Sequence, residues 1–384
     1  MAQTTTAAGS SAKARYVMIG GFLGAGKTTA LGALARHLVA RGLRVGLITN
    51  DQSTGLVDTT LLKSAGFPVE EIGGGCFCCR FQSLSDAVAK LTADTRPDVF
   101  VAEPVGSCTD LLATVSYPLG RLYGEHYTIA PLSVLVDPER AERVLGLAQG
   151  RSFSAKVLYV YEKQLEEADF LVVNKLDLLD APRAERLTAA LAARFPRARL
   201  FAVSARDGTG LEPWFRALLD QECTPRATMA LDYQRYAEGE AELGWLNATL
   251  ALEGATPFDA NALLRDLAEG IRARLAPAGS EIAHLKLTLD PLLPDGQLAA
   301  LSLVSTAGAA DERETLFDQV ERGSLVLNLR AEAAPEALEL ATVQSLRAVF
   351  GAPGAPRYEL EHLERFRPAP PVPVHRDTVA ASSA

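Results

Sequence analysis

The sequence predicts an α/β fold, with a doubly wound parallel sheet over about the first 220 residues and a smaller α+β domain after it. Three observations carry this. A glycine-rich loop, Gly21-Phe22-Leu23-Gly24-Ala25-Gly26-Lys27-Thr28, sits between a strand-like run and a helical one. Short apolar runs then alternate with helical stretches as far as Leu219. Past a polar stretch, the order of elements changes. With 384 residues and 48% hydrophobic content, the chain has material for two cores.

Tyr16-Val17-Met18-Ile19 is short, apolar and suited to a buried strand. From Thr29 to Arg41, Leu31, Leu34, Ala35 and Leu38 recur at helical spacing. Between them the glycines let backbone N–H groups approach phosphate oxygens, and the helix N-terminus adds positive potential. Lys27 supplies a cation for β- and γ-phosphates, and the Thr28 hydroxyl a Mg²⁺ ligand. A glycine turn matching by chance would lack this context. Gly24, Ala25, Gly26, Lys27, Thr28 and Thr29 are thus expected to hold a nucleotide.

Guanine is the expected base. The apolar run Phe170-Leu171-Val172-Val173 ends in Asn174-Lys175-Leu176-Asp177. An aspartate there can accept from both N1–H and N2–H₂ of guanine, a donor pair adenine lacks. Leu200-Phe201-Ala202-Val203 leads into Ser204-Ala205, whose backbone N–H suits guanine O6. Taken alone, Asn174–Asp177 is an ordinary charged turn; following a phosphate loop, it reads as GTP over ATP.

Two more strands end in acids at the ligand edge of the sheet. Val45-Gly46-Leu47-Ile48-Thr49 runs into Asn50-Asp51, and Val99-Phe100-Val101-Ala102 into Glu103-Pro104-Val105-Gly106. In a nucleotide hydrolase one carboxylate holds Mg²⁺ and another group orients the attacking water. Asp51, with Thr28, is the expected Mg²⁺ site; Lys27, Asp51 and Glu103 are the expected catalytic set. Helix caps or turn acids are the plainer alternative. Gly106 suits a switch, and Asp137, followed by Pro138, reads as mainly structural.

Cys76-Phe77-Cys78-Cys79 places three of the five cysteines in four positions, after Gly73-Gly74-Gly75 and a short strand from Pro68 to Ile72. Thiolates bind Zn²⁺, Cu(I) and, less selectively, Co²⁺ or Fe²⁺. Three thiols do not close a tetrahedron, and an incomplete set suits a metal that is passed on. The fourth position is open to Cys108, Asp51, Glu103, water or a partner group. A disulfide is disfavoured between adjacent cysteines; a redox-sensing thiol is the competing reading.

Together these stretches resemble the CobW-like GTPases, relatives of the urease- and hydrogenase-maturation GTPases. Gly21–Thr28 matches the phosphate loop, and Gly74–Cys79 the hallmark Cys-x-Cys-Cys loop. Glu103–Gly106 is similar to the Glu-x-x-Gly switch, and Asn174–Asp177 to the guanine element. The resemblance covers about residues 14 to 220. It implies a slow, Mg²⁺-dependent GTPase whose nucleotide state gates a transition metal, Zn²⁺ or Co²⁺ before Fe or Ni. The metal would go to a client metalloenzyme or cofactor pathway. Two departures stand out. The chain has only five scattered histidines, where many relatives carry a histidine-rich stretch. It also reads Thr49-Asn50-Asp51-Gln52 where much of the family has Glu-Asn-x-x-Gly. A redox-regulated GTPase without cargo and a non-enzymatic GTP-binding scaffold are the alternatives.

A net charge of −9 argues against nucleic acid as a partner. No apolar run approaches the ~20 residues of a membrane span. With few cysteines and no secretory pattern, a cytoplasmic protein is expected. Residues 1–14 read as a disordered tail, 15–222 as the GTPase domain and 223–240 as a linker. Residues 241–366 read as a ferredoxin-like α+β domain, and 367–384 as a disordered proline-rich tail. Within 241–366, Gly244–Leu252, Ile282–Leu289, Leu298–Val304 and Leu325–Leu329 read as strands, with another near Tyr358. Phe258–Ala276 and Pro335–Phe350 read as helices. His284 is expected to be a surface or packing residue. The domain reads as a docking surface, homodimerisation included.

Overall fold

The computed structural model describes residues 13–52, 57–293 and 296–379. Its first sheet is built from β1 (Ala14–Gly21), β2 (Val45–Asn50), β3 (Val69–Ile72), β4 (Val99–Glu103), β5 (Tyr127–Ile129), β6 (Ser133–Val136), β7 (Phe170–Val173) and β8 (Arg199–Ala202). The strands are parallel, in the order β3-β2-β4-β1-β6-β7-β8. The short β5 runs beside the start of β1. The helices are α1 (Lys27–Ala40), α2 (Val57–Ser64), α3 (Phe81–Thr95), α4 (Tyr117–Tyr123), α5 (Pro138–Val144), α6 (Ala155–Glu167), α7 (Ala181–Arg194) and α8 (Leu211–Asp220).

The strand runs are continuously apolar because both faces are covered. Val17, Ile19, Leu47 and Val101 pack with Leu31, Leu34 and Leu38 of α1 and Trp214 of α8. Their alternate neighbours Tyr16, Met18, Ile48 and Ala102 pack with Leu84 and Val88 of α3 and Val157 and Tyr161 of α6. This is the doubly wound sheet expected.

The stretch read as a linker, 223–240, is only partly irregular. Its last residues form α9 (Tyr233–Ala241), capped by Asp232, whose carboxylate accepts from the N–H groups of Gln234 and Arg235. The helix carries few apolar residues because only Tyr236, Gly239 and Glu240 are buried, so it lacks the periodicity that marks a core helix.

The second sheet is antiparallel. It comprises β9 (Leu243–Phe258), β10 (Glu281–Asp290), β11 (Ala299–Leu303), β12 (Asp311–Glu314), β13 (Val320–Glu332) and β14 (Arg357–Phe366), with α10 (Ala260–Leu275) and α11 (Pro335–Phe350). Its order is β12-β11-β10-β13-β9-β14. The inner run β10-β13-β9-β14, joined through α10 and α11, has the expected ferredoxin-like arrangement, which β11 and β12 extend. One face is apolar: Leu285, Leu287 and Leu289 stand directly opposite Leu329, Leu327 and Leu325 and pack with Leu264, Leu267 and Leu338. The other face carries Asn247, His284, Lys286, Asn328 and Arg330, and it packs on the first domain.

Of the expected N-terminal tail, residues 1–12 lie outside the described residues, and Ala14 already belongs to β1. Beyond β14 the chain is extended, as its prolines require, but it is not free of the fold. Val374 N–H donates to the Cys78 carbonyl at 2.9 Å and Asp377 N–H to the Ala113 carbonyl at 2.8 Å. Arg376 donates to the buried Asp110 at 2.7 Å. An extended backbone leaves its N–H groups unused by local structure, and here they find partners elsewhere. Among the described residues no helix is long and apolar enough to cross a membrane.

Candidate functional site

β1 ends in Gly21, where φ is 129° and a Cβ would lie 2.5 Å from the Leu135 carbonyl oxygen. Gly24 and Gly26 continue the loop at positive φ, and Gly26 caps α1. At the start of α1, Lys27 is buried, its Nζ 3.9 Å from Glu103 Oε1. Thr28 Oγ1 lies 2.7 Å from Asp58 Oδ1 and 3.0 Å from Glu103 Oε2. Asp58 in turn accepts from Lys286 Nζ at 2.6 and 2.5 Å. Two ammonium groups, two carboxylates and a hydroxyl thus meet at the mouth of the loop. They line a cleft of about 660 Å³ with Ala205, Arg206, Ser302 and Arg313, a size suited to a nucleotide.

Burial, and then repulsion from Asp58, pushes Glu103 up to about 7. Burial also works to raise Asp58, but the adjacent Lys286 outweighs it and holds that carboxyl below its usual range. Desolvation lowers the pKa of Lys27.

Asp51 is not part of this group. Its carboxylate faces Arg330, 3.3 Å away on β13, and accepts the Gln52 N–H at 2.6 Å. The expectation that Asp51 joins Thr28 is thus corrected: the carboxylate beside Thr28 is Asp58, in the first turn of α2. A signal existed in Val57, Leu61 and Leu62, which recur at helical spacing around it. It was obscured because strand-end acids follow a strand directly, whereas α2 is a separate element brought back over the loop.

At the other end of the cleft, Asn174 donates to the Ala25 carbonyl at 3.0 Å and accepts the Ala205 N–H at 2.9 Å. It ties the phosphate loop to the Ser204-Ala205 turn. Lys175, at φ 59°, donates to the Gly24 carbonyl at 2.8 Å and to Asp137 at 2.7 Å. Asp177 accepts from Ser204 Oγ at 2.7 Å. The predicted guanine residues therefore come together. Asp137, read from sequence as mainly structural, both caps α5 and orients Lys175.

The cysteine loop leaves the same edge of the sheet. Gly74 and Gly75 turn at positive φ, and Cys76 Sγ lies 2.8 Å from Cys78 Sγ and 3.1 Å from Cys79 Sγ. Cys76 and Cys78 are buried; Cys79 is partly exposed and accepts the Val372 N–H at 3.3 Å. Hydrogen bonds from Cys108, then from Cys78 and Cys79, stabilise the Cys76 thiolate and lower its pKa. That thiolate in turn pushes Cys79 up to about 11. The arrangement is a compact set of soft donors with one sulfur near the surface.

Asn50, not among the residues singled out from sequence, anchors the cysteine loop. Its Nδ2 donates to the Ile72 carbonyl at 2.9 Å and the Gly75 carbonyl at 2.7 Å, and its Oδ1 accepts the Phe77 N–H at 3.0 Å. One residue earlier on β2, Thr49 Oγ1 lies 2.9 Å from Oγ1 of Thr59, the neighbour of Asp58. A second connection runs through Gly106, where a Cβ would lie 3.0 Å from Lys27 Nζ; Cys108 follows two residues on. His284 is a buried packing residue between the domains. Neither ring nitrogen has a hydrogen-bond partner among the described residues, and burial keeps the ring neutral.

Residues 15–201 match the family model described as the CobW/HypB/UreG nucleotide-binding domain. Similar proteins include a zinc chaperone CobW of a Sinorhizobium species, 29% identical over 199 residues, covering 46% of this chain and 55% of the relative. Another is the zinc chaperone YjiA of Escherichia coli K12, 27% identical over 198 residues, with coverage of 50% and 57%. The chain spans about half the length of these curated relatives. Among solved structures, Zn(II)-bound YjiA GTPase from E. coli aligns over 86% of this chain and 98% of its own, at 18% identity and a TM-score of 0.36. HypB from Helicobacter pylori in complex with nickel aligns over 55% and 90%, at 21% identity and a TM-score of 0.40.

Proposed function

Because residues 15–201 are a CobW/HypB/UreG nucleotide-binding domain, we propose that the protein is a GTP-hydrolysing metallochaperone. In this reading Cys76, Cys78 and Cys79 hold a transition metal and release it to a client metalloenzyme or cofactor pathway according to the nucleotide bound. Zn²⁺ is the first candidate, since the relatives are named zinc chaperones, and Co²⁺ the second; Fe²⁺ and Ni²⁺ follow. The three sulfurs lie within 4.8 Å of one another and leave the fourth position to Cys108, which is buried, to water or to a partner group, since Asp51 and Glu103 are engaged elsewhere.

The observation that carries this reading is a short route between the two sites, made of hydrogen bonds joined through adjacent residues of α2 and β2. Asp58 meets Thr28, Thr59 meets Thr49, and Asn50 grips the cysteine loop. A change at the phosphate end therefore has a physical path to the thiols. The glycine loop and Lys27 take the phosphates, and Asn174 and Asp177 with Ser204-Ala205 frame guanine. Thr28 and Asp58 offer hard oxygen donors that fit Mg²⁺, which when bound offsets charge on the transferring phosphoryl group. Glu103, with a carboxyl near neutrality, is suited to orient and deprotonate the attacking water.

The test is metal titration of the full chain with Mg²⁺ and either a non-hydrolysable GTP analogue or GDP. The analogue should tighten metal binding by about 1–3 kcal/mol, the usual size of coupling between sites. Equal affinities refute the gating. A Cys78→Ser protein should lose tight metal binding and keep nucleotide. If mild oxidation, and not chelation, alters turnover, the thiols are a redox sensor instead.

A further inference from the structure

The C-terminal domain is built around the nucleotide cleft rather than hung beside it. A Cβ on Gly24 would lie 2.8 Å from Val304 Cγ1, so the second domain touches the phosphate loop directly. The buried Arg140 guanidinium donates to the Leu23 carbonyl of that loop. It also donates to the Ala283 and Val304 carbonyls of the second sheet, at 3.1 and 2.8 Å. From β12, Arg313 Nη1 donates to Thr29 Oγ1 at 2.7 Å. From β10, Lys286 reaches Asp58.

Lys286 is the most telling of these contacts. It stands on the middle of a strand paired on both sides, by β11 and β13, so its backbone has little freedom to withdraw. Its side chain is only 18% exposed, and its carboxylate partner is Asp58. That same carboxylate is the one placed to serve Mg²⁺ beside Thr28. One carboxylate does not fully compensate two cations. If the divalent ion takes Asp58, the ammonium stays in the cleft with Lys27 and needs another anion. Glu103 faces Lys27 and Thr28, so the anions left for Lys286 there are phosphate oxygens.

We propose that Lys286, assisted by Arg313, is a phosphate-contacting residue of the nucleotide site, through which the C-terminal sheet reads the terminal phosphate. The inference rests on the reading of the cleft as a guanine-nucleotide site. Lys286 pairs with Asp58 when the cleft is empty and turns to the terminal phosphate when it is filled. The second domain is then a sensor of nucleotide state and not merely a docking surface.

The test measures equilibrium affinity of the full chain for a Mg²⁺-bound non-hydrolysable GTP analogue and for Mg²⁺-GDP, in wild type, Lys286→Met, Lys286→Arg and Arg313→Gln. A hydrogen bond to a charged group is worth about 1.5–3 kcal/mol. Lys286→Met should thus weaken the analogue about 10- to 100-fold and GDP by less than about 3-fold. Lys286→Arg should keep most of the preference, and Arg313→Gln should weaken the analogue several-fold. Hydrogen exchange across 283–289 and 299–303 should slow with the analogue and not with GDP. Equal losses for both nucleotides, or no loss, overturn the proposal. If Lys286→Met fails to fold, Arg313→Gln and the exchange pattern decide. Wild type that binds no guanine nucleotide refutes the reading of the cleft as well. Wild type that binds the analogue, beside an indifferent Lys286→Met, refutes only this inference.

Discussion

Asn50→Ala is the most direct probe of the proposed coupling between the two sites. The Asn50 side chain is buried and makes three hydrogen bonds, to Ile72, Gly75 and Phe77. All three partners are backbone groups of the cysteine loop or the strand that leads to it. At about 0.5–1.5 kcal/mol net for each bond, the substitution costs roughly 2–4 kcal/mol, most of it as loss of order between residues 72 and 79. If metal binding must restore about 2 kcal/mol of that order, affinity falls about 30-fold. Nucleotide affinity should hardly change, since the side-chain hydrogen bonds of Asn50 go to Ile72, Gly75 and Phe77 and not to Lys27 or Thr28. The assay pairs metal titration with hydrogen exchange of the loop, followed peptide by peptide because a two-domain chain need not unfold in one step. Faster exchange confined to residues 72–80, with weaker metal binding, is expected. Unchanged exchange, or an equal loss of nucleotide, refutes the reasoning.

Asp58→Asn should abolish Mg²⁺-dependent nucleotide binding. Asp51→Asn should spare it while destabilising the domain contact by roughly 3 kcal/mol, because Arg330 is left buried without its counter-charge. Nucleotide calorimetry and urea unfolding separate the two; the reverse pattern would restore Asp51 as the Mg²⁺ ligand. Glu103, raised from 4.5 to about 7, makes the nucleotide-free protein less stable as pH rises. The stabilising protonated form is fully present below pH 4.5 and is lost by about 7, because over that window the folded state binds more protons than the unfolded one. Glu103→Gln should flatten that slope and slow hydrolysis about 100-fold or more; an unaltered pH profile of stability would remove Glu103 from this account. Deleting residues 367–384 removes the Val372 N–H contact to Cys79 and should speed modification of that thiol by a chromogenic disulfide several-fold. An unchanged rate would mean the segment does not shield it.

The parts legible in the sequence are those in which consecutive residues make the structure. The phosphate loop needs its glycines at fixed offsets, since Gly24 and Gly26 adopt conformations that side chains disfavour. The alternating apolar runs announce buried parallel strands, and Cys76, Cys78 and Cys79 are near one another by spacing alone. Asn174, Asp177 and Ser204 follow, because strand ends of a parallel sheet share one edge. Tertiary structure decided what no local pattern encodes. It chose Asp58 over Asp51 at Thr28, since α2 folds back over the loop while the end of β2 faces Arg330. It made Asn50 the anchor of the cysteine loop and turned a polar stretch into α9. It also laid the proline-rich segment across Cys79. Lys286, more than two hundred residues from Asp58, meets it only because the second sheet sets one polar face against the first domain. A residue's charge can be read from the chain; its counter-charge is set by which surfaces pack together.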